Sequence, residues 1–351
     1  MTQYVLKRLL AMIPTFLGIT LITFFIIKLA PGNPVTLKMA QGEGLKADQL
    51  SAEATRQILK LYGLEVELPA WYEEKISKFT VWLYGEDPKD KPKLSRRALT
   101  WVGKNWIQYK IWITGMLEGN FGRSFKDQRP VLEKVGEALP ITLSLNILEI
   151  LIVYFISIPL GVFSALRREA LLDKAVMVFL FILYSLPSFW VATLLLMYFA
   201  SGDHLNWFPL VGIMSDGAED YPFLTKALNI AWHLVLPVTA MVYGAFAFLT
   251  RFSRSTMLEV IKQDYIRTAL AKGLPRGKVI WKHAFRNQLI PLITLLGTLL
   301  PALLGGSVII EQIFSIPGMG KLAFESVLAR DYPTIMAIAT ITALLTLVSL
   351  L

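Results

Sequence analysis

The chain has 351 residues, of which 54% are hydrophobic and only 17% are charged, and its formal net charge is +9. So small a charged share argues against a soluble protein of this length and is typical of proteins whose surroundings are largely lipid. The sequence contains no cysteine, which excludes disulfides, iron–sulfur clusters and thiolate zinc sites, and its three histidines lie too far apart in sequence to suggest a metal site.

Six apolar segments are long enough to cross a bilayer. A span needs about 20 mostly apolar residues for about 30 Å of hydrocarbon, and only a helix lets such a segment satisfy its own backbone hydrogen bonds. The predicted spans cover about residues 9–30, 139–163, 175–200, 233–250, 289–312 and 334–351. The first run lacks a small-residue cleavage site, so we expect it to be retained as a span. The sequence therefore predicts an all-α membrane protein with six transmembrane helices.

The basic residues in the short loops predict the orientation of the spans. Arg167, Arg168 and Lys174 separate the second and third spans, and nine lysines and arginines occupy loop 251–288 between the fourth and fifth. Because basic loops stay on the cytoplasmic side, we expect both termini and loop 251–288 in the cytoplasm, in a multi-pass protein of the cell inner membrane surrounded by lipid. The basic residues lie beside apolar runs, so the positive net charge does not indicate nucleic acid.

A long segment, residues 31–138, separates the first and second spans, and we predict that it is extracytoplasmic. Its sequence favours helices around 51–62 and 70–84 and a proline- and lysine-rich break at 87–93. Long loops cross the membrane largely regardless of charge, so its lysines do not contradict this placement. The predicted parts of the chain are a first span with its cytoplasmic end (1–30), the outer segment (31–138) and a core of five spans (139–351).

Loop 251–288 contains a pattern that predicts a short helix lying across the cytoplasmic membrane face. An amphipathic stretch runs from Asp264 to Gly273, which can take the left-handed conformation that ends helices, and Pro275 prevents continuation. A second helical stretch, 277–287, leads into the fifth span. On residue chemistry alone, the short helix either lies on anionic lipid as an ordinary basic helix or contacts a partner protein.

The same stretch resembles the cytoplasmic coupling loop of the permeases of ATP-binding-cassette (ABC) importers. The general pattern of that loop is Glu-Ala-Ala, a glycine and later Ile-x-Leu-Pro. Gly273 occupies the glycine position and Ala269 that of the second alanine, whereas the glutamate, the first alanine and the Ile-x-Leu-Pro residues are replaced. Residues 264–274, Asp-Tyr-Ile-Arg-Thr-Ala-Leu-Ala-Lys-Gly-Leu, and residues 283–287, His-Ala-Phe-Arg-Asn, are similar to the variant of the dipeptide/oligopeptide permease family.

Other segments extend the resemblance over nearly the whole chain. They are residues 8–14, 31–34, 119–124, 139–143, 158–161, 186–190, 311–320 and 330–333. Residues 74–115, rich in tryptophan and lysine, depart from the family by lengthening the outer segment. We interpret this insertion as an interfacial cap on the helix bundle, because tryptophan and tyrosine favour the headgroup level. The alternatives are a docking surface for the substrate-delivery protein and a lid for a sugar.

The resemblance implies a type I ABC importer permease that forms half of a translocation pathway beside a second homologous permease subunit. Two ATP-binding subunits and an extracytoplasmic substrate-binding protein would complete the importer. The sequence has no Gly-x-x-x-x-Gly-Lys-Ser/Thr phosphate loop, so we expect ATP and magnesium on the partner ATPases and neither a cofactor nor an enzyme activity in this chain. The family branch imports di- or oligopeptides, with oligosaccharides or nickel as alternative cargo. An ion-coupled secondary transporter is the alternative of another class.

The resemblance also implies which residues couple the chain to an ATPase. They are Asp264, Tyr265, Ile266, Arg267, Thr268, Ala269, Leu270, Gly273 and Leu274. We expect Tyr265, Ile266 and Leu270 to fill an apolar groove on the ATPase, with Asp264 and Arg267 as a polar rim.

A second candidate site lies in the second predicted span, where Glu149 is near the middle and Asn146 is beside it. A carboxylate within the hydrocarbon region is unfavourable and usually faces the interior of the bundle. The pair is therefore expected either to line the translocation pathway or to make a structural hydrogen bond to another span.

Overall fold

The computed structural model describes residues 2–29, 66–84, 93–202, 204–299 and 307–349. The regular structure in these ranges is helical, and one isolated bridge joins Arg123 and Pro130. The helices are α1 (Thr2–Leu29), α2 (Ala70–Tyr84), α3 (Lys93–Leu117), α4 (Val131–Leu166), α5 (Leu171–Ser185), α6 (Ser188–Phe199), α7 (Phe223–Ile261), α8 (Asp264–Ala271), α9 (Phe285–Leu299), α10 (Val308–Ile313), α11 (Met319–Leu328) and α12 (Tyr332–Ser349). Short helical turns lie at Ala218–Asp220 and Arg276–Lys278, and a π-helical turn, Val279–Ala284, leads into α9.

Among the described residues, four helices are long and apolar enough to cross a membrane by themselves: α1, α4, α7 and α12. They lie where the first, second, fourth and sixth spans were predicted. α4 and α7 have 36 and 39 residues. They are longer than the predicted spans because their helical structure continues past the apolar runs. The fifth predicted span contains most of α9 and α10, and residues 300–306 between them lie outside the described ranges.

The third predicted span, residues 175–200, is not one continuous helix. α5 and α6 are bent by 93° at the break between them. Proline lacks an N–H and disfavours helical backbone at the residue before it, and Leu186, which precedes Pro187, is accordingly extended, with φ −84° and ψ 131°. The Leu186 carbonyl accepts a hydrogen bond of 2.7 Å from Tyr243 Oη on α7. The prediction of a span over residues 175–200 did not include this break, because proline was taken to be tolerated within a helix bundle.

The chain divides into two compact units. The first comprises Met1–Val135 with Glu325–Leu344, and the second Gly136–Phe324 with Leu345–Leu351. In the second unit, α5, α6 and α9 all pack on α7. This unit contains loop 251–288 and the Asn146–Glu149 pair.

A small residue allows α4 and α7 to approach closely in the second unit. A Cβ added at Gly161 would lie only 2.6 Å from Ser253 Cβ. Ser253 Oγ donates to the Ile158 carbonyl at 3.2 Å, and Gln288 Nε2 donates to Ser253 Oγ at 2.8 Å. Glycine and serine therefore bring α4, α7 and α9 together around buried hydrogen bonds, a packing mode common in membrane helices.

In the first unit, α3, which lies mostly within residues 74–115, packs on α1. Tyr109 of α3 makes a hydrogen bond of 3.0 Å with Thr20 of α1, and its ring lies 5.5 Å from that of Phe24. Trp101 is nearer the start of α3 and lies 6.0 Å from Phe25. Thr20 is close to the midpoint of the predicted first span, so α3 lies alongside this span. The interpretation of residues 74–115 as an interfacial cap on the bundle stays a prediction.

The helix predicted around residues 70–84 is confirmed as α2. The helix predicted around 51–62, and all but the last residue of the break predicted at 87–93, lie outside the described residues.

Candidate coupling helix and pathway cavity

The short helix predicted in loop 251–288 is present as α8. Gly273 has a φ of +78°, the left-handed conformation that its position after the helix predicted. The Gly273 N–H donates to the Leu270 carbonyl at 2.9 Å, and the Leu274 N–H donates to the Ala269 carbonyl at 3.3 Å. These bonds satisfy carbonyls at the end of the helix, and Pro275 then directs the chain away.

One face of α8 is buried against its own chain. Ile266 is 3% exposed and Ala269 is 8% exposed, and both pack in a cluster with Met257, Val279 and Ala284. The expectation that Ile266 fills a groove on a partner is therefore wrong, because its side chain anchors α8 to α7 and to the π-helical turn. Amphipathic spacing identified an apolar face but not the partner of that face.

The remaining coupling candidates present a different surface from the predicted one. Leu274 is half-buried, and the exposed candidates are Asp264, Tyr265, Arg267, Thr268, Leu270 and Gly273. From the helical period, Asp264, Arg267 and Thr268 share one face, with Tyr265 and Leu270 on opposite flanks. The exposed surface of α8 is thus polar at its centre and apolar at its edges, the reverse of an apolar ridge with a polar rim.

The second helical stretch of the loop, predicted over 277–287, is helical but contains a π-helical turn at Val279–Ala284. Val279 and Ala284 are buried in the cluster that holds α8, whereas Trp281 is 57% exposed. π-helical turns occur often at functional sites, but no residue pattern in this segment indicated one.

A buried ion pair that sequence reasoning missed joins α5 to α7. Asp173 is 3% exposed and accepts hydrogen bonds from Arg254 Nε at 2.8 Å and Nη2 at 2.7 Å. The Glu169 N–H donates to the same carboxylate at 3.0 Å, and Ser164 Oγ also donates to it. Arg254 contributed to the topology prediction only as one basic residue among many. No sequence signal pairs two charges so far apart in the chain.

Two segments that carried the family resemblance meet at Glu311 in the second unit. Glu311 is 1% exposed and accepts hydrogen bonds from Thr142 Oγ1 and from the Lys321 N–H, each at 2.9 Å. A Cβ added at Gly318 would lie 2.6 Å from Glu311 Oε2, so only glycine leaves room for this carboxylate. Segments 139–143 and 311–320 are thus held together by buried hydrogen bonds to Glu311.

In the first unit, hydrogen bonds to Asp331 connect segments 119–124 and 330–333 in a similar way. It accepts hydrogen bonds from Ser124 Oγ at 2.5 Å and from the Phe125 N–H at 2.7 Å. Lys134 Nζ lies 4.0 Å from Asp331 Oδ2 and 2.7 Å from Asp127 Oδ2. Burial alone would raise the pKa of Asp127, but hydrogen bonds, chiefly from Lys134, hold that pKa below its usual value.

Asn146 and Glu149 line a common cavity of about 290 Å³ in the second unit. Ser188, the first residue of α6, and Ser307, just before α10, also line it, together with apolar residues such as Ala240. Asn146 is buried and Glu149 is half-buried. Within the described part of the chain, the Glu149 carboxylate has no hydrogen-bond or ion-pair partner. The structure therefore brings the two predicted pathway residues to one partly open cavity with polar and apolar walls.

Four long apolar helices and a bent apolar helix pair among the described residues define a membrane-embedded protein. The chain belongs to the family of binding-protein-dependent transport system inner membrane components, whose sequence profile matches residues 157–351. This confirms the family resemblance and makes the chain a multi-pass permease component of the inner membrane. The matched region contains the bent helix pair and loop 251–288 with α8.

Three relatives are similar to this chain over nearly its whole length. The oligopeptide transport system permease protein AppB of Bacillus subtilis is 37% identical over 350 residues, which are 99% of this chain and 94% of the relative. The peptidoglycan transport system permease protein YejB of Agrobacterium fabrum is 34% identical over 365 residues, covering 99% and 94%. The dipeptide transport system permease protein DppB of Alkalihalophilus pseudofirmus is 31% identical over 366 residues, covering 99% and 96%.

Proposed function

We propose that this chain is one of the two membrane-spanning permease subunits of an ATP-driven importer and forms half of its pathway for di- or oligopeptides. The similarity over 99% of the chain to relatives named as oligopeptide and dipeptide permeases carries the proposal. A second homologous permease, two ATP-binding subunits holding ATP and magnesium, and an extracytoplasmic substrate-binding protein complete the importer. These relatives do not favour the oligosaccharide, nickel or ion-coupled alternatives.

In this proposal, α8 transmits motion from the ATPase subunits to the spans. Its exposed polar face and the flanking Tyr265 and Leu270 contact an ATPase subunit, while Ile266 and Ala269 connect α8 to α7 through their packing on Met257. When ATP draws the two ATPases together, the displacement of α8 passes through this cluster to the spans. Coupling of this kind requires a contact whose geometry differs between the two states of the importer.

The transport proposal is tested with the complete importer in proteoliposomes. We expect short peptides to accumulate only when ATP is present on the ATPase side and the binding protein on the opposite side, and a non-hydrolysable ATP analogue to abolish accumulation. Accumulation driven by an ion gradient without ATP would show a secondary transporter. Accumulation of oligosaccharides or nickel, with peptides left outside, would overturn the peptide cargo while leaving the importer class intact.

The topology proposal has six spans, cytoplasmic termini and an extracytoplasmic segment 31–138. We expect single cysteines at Ser51 and Ser255 to react with a membrane-impermeant maleimide from opposite sides, because Ser51 belongs to the outer segment and Ser255 to the cytoplasmic end of α7. The chain has no cysteine of its own, so each label reports one position. Labelling of both positions from the same side would contradict this topology.

A further inference from the structure

The cavity beside α4 has the chemistry of a site for a positively charged group. Among the described residues that line it, Glu149 is the charged one, and the others supply amide, hydroxyl and apolar groups. An ionised carboxylate with no partner among the described residues is unfavourable at such a site unless water or a cation stabilises it. At about 290 Å³, the cavity is large enough for several waters or for a small part of a flexible solute.

The broken helix pair brings a helix end to this cavity. α5 has 15 residues and is about 22 Å long, so in the proposed topology it extends well into the hydrocarbon from the cytoplasmic face. Ser188 follows that end directly and lines the cavity. Non-helical backbone at such depth is tolerated where protein buries it or where it lines a water-filled space. The bend therefore points to a hydrated passage rather than a sealed void.

We propose that Glu149 is a specificity-determining residue that binds the α-amino group of a peptide during its passage, with Asn146 and Ser188 as further acceptors. This inference rests on the proposed peptide transport and adds the group that the chain recognises. A peptide amino terminus is a cation with three N–H donors at neutral pH, and an ionised carboxylate, an amide oxygen and a hydroxyl are matching acceptors. The carboxyl terminus of the same peptide would be repelled by Glu149.

The test supplies the reconstituted importer with an equimolar mixture of short peptides, half of them N-acetylated, and identifies the imported peptides by mass spectrometry. In Glu149→Gln we expect the uptake of free-amino peptides to fall about tenfold, a factor equivalent to about 1.4 kcal/mol, with little change for the acetylated peptides. The binding protein is the same in both importers, so its own preference cancels in the comparison. Glu219→Gln, which removes an exposed carboxylate outside the cavity, is the matched control and should transport as the unsubstituted chain does.

Three outcomes would overturn the proposal. Equal loss of free-amino and acetylated peptides in Glu149→Gln would show that the carboxylate acts on transport in general. Unchanged uptake of both would show that it does not contact the cargo. Loss of the partner permease on purification of Glu149→Gln would make Glu149 an assembly residue. If the unsubstituted importer hydrolyses ATP but accumulates neither kind of peptide, the proposed cargo itself fails, which is a result distinct from these three.

Discussion

Replacing Arg254 with alanine is expected to lower the free energy of unfolding of the chain by about 3–5 kcal/mol, because removing one partner of a buried ion pair leaves the other charge uncompensated. The Asp173 side chain is 3% exposed and that of Arg254 22% exposed, so the carboxylate has little contact with water. Hydrogen bonds to Asp173 from Ser164 and from the Glu169 N–H remain, which favours the lower half of the range. Unfolding by sodium dodecyl sulfate titration in mixed micelles measures the difference.

The matched control is Arg251→Ala, one turn earlier on α7, where the arginine is exposed. Its effect should stay within about 0.5 kcal/mol, as is usual for surface positions. The double variant Asp173→Asn/Arg254→Gln removes both charges and should recover part of the loss. If Arg254→Ala is no more destabilising than Arg251→Ala, the ion pair does not stabilise this end of the bundle.

Replacing Gly273 with valine is expected to uncouple ATP hydrolysis from transport. Gly273 has a φ of +78°, and an added Cβ would meet nothing within 4 Å, so the strain arises from the backbone conformation alone. A β-branched residue in this region costs on the order of 1–3 kcal/mol, and relief of that strain displaces the end of α8. We expect the number of peptides imported per ATP hydrolysed to fall at least about tenfold, while membrane insertion and subunit assembly persist.

Gly277 provides the control for this substitution. It lies in the same loop and also has open space around its Cα, but its φ is not positive. Gly277→Ala should therefore leave the ratio of transport to hydrolysis unchanged. Gly273→Asn should be intermediate, because asparagine tolerates the left-handed conformation better than valine does. A normal ratio in Gly273→Val would show that this helix end is not part of the coupling contact.

Local chemistry made the ends of helices predictable from the sequence. Gly273 followed by Pro275 indicated the end of α8, and the apolar runs located α1, α4, α7 and α12. Each of these features depends on neighbours along the chain, which the sequence displays directly. The family resemblance rested on residue patterns of the same local kind.

Features that depend on distant neighbours were not predictable in this way. The spacing of apolar residues in α8 could not show whether Ile266 packs on Met257 of its own chain or on a partner protein. Either would offer it an apolar surface. The pairing of Asp173 with Arg254 likewise requires α5 and α7 to be placed first. The bend before Pro187 was missed for another reason. The proline was visible in the sequence, but the length of the apolar run was given more weight in predicting the span.

That bend also has a consequence for the order in which the chain enters the membrane. α5 and α6, with 15 and 12 residues, are about 22 Å and 18 Å long, so neither alone reaches across about 30 Å of hydrocarbon. The Leu186 carbonyl between them is satisfied by Tyr243, which is synthesised 57 residues later. Until α7 has been synthesised, the Leu186 carbonyl therefore lacks this hydrogen-bond partner. We therefore expect the insertion of the bent pair to be completed only with α7.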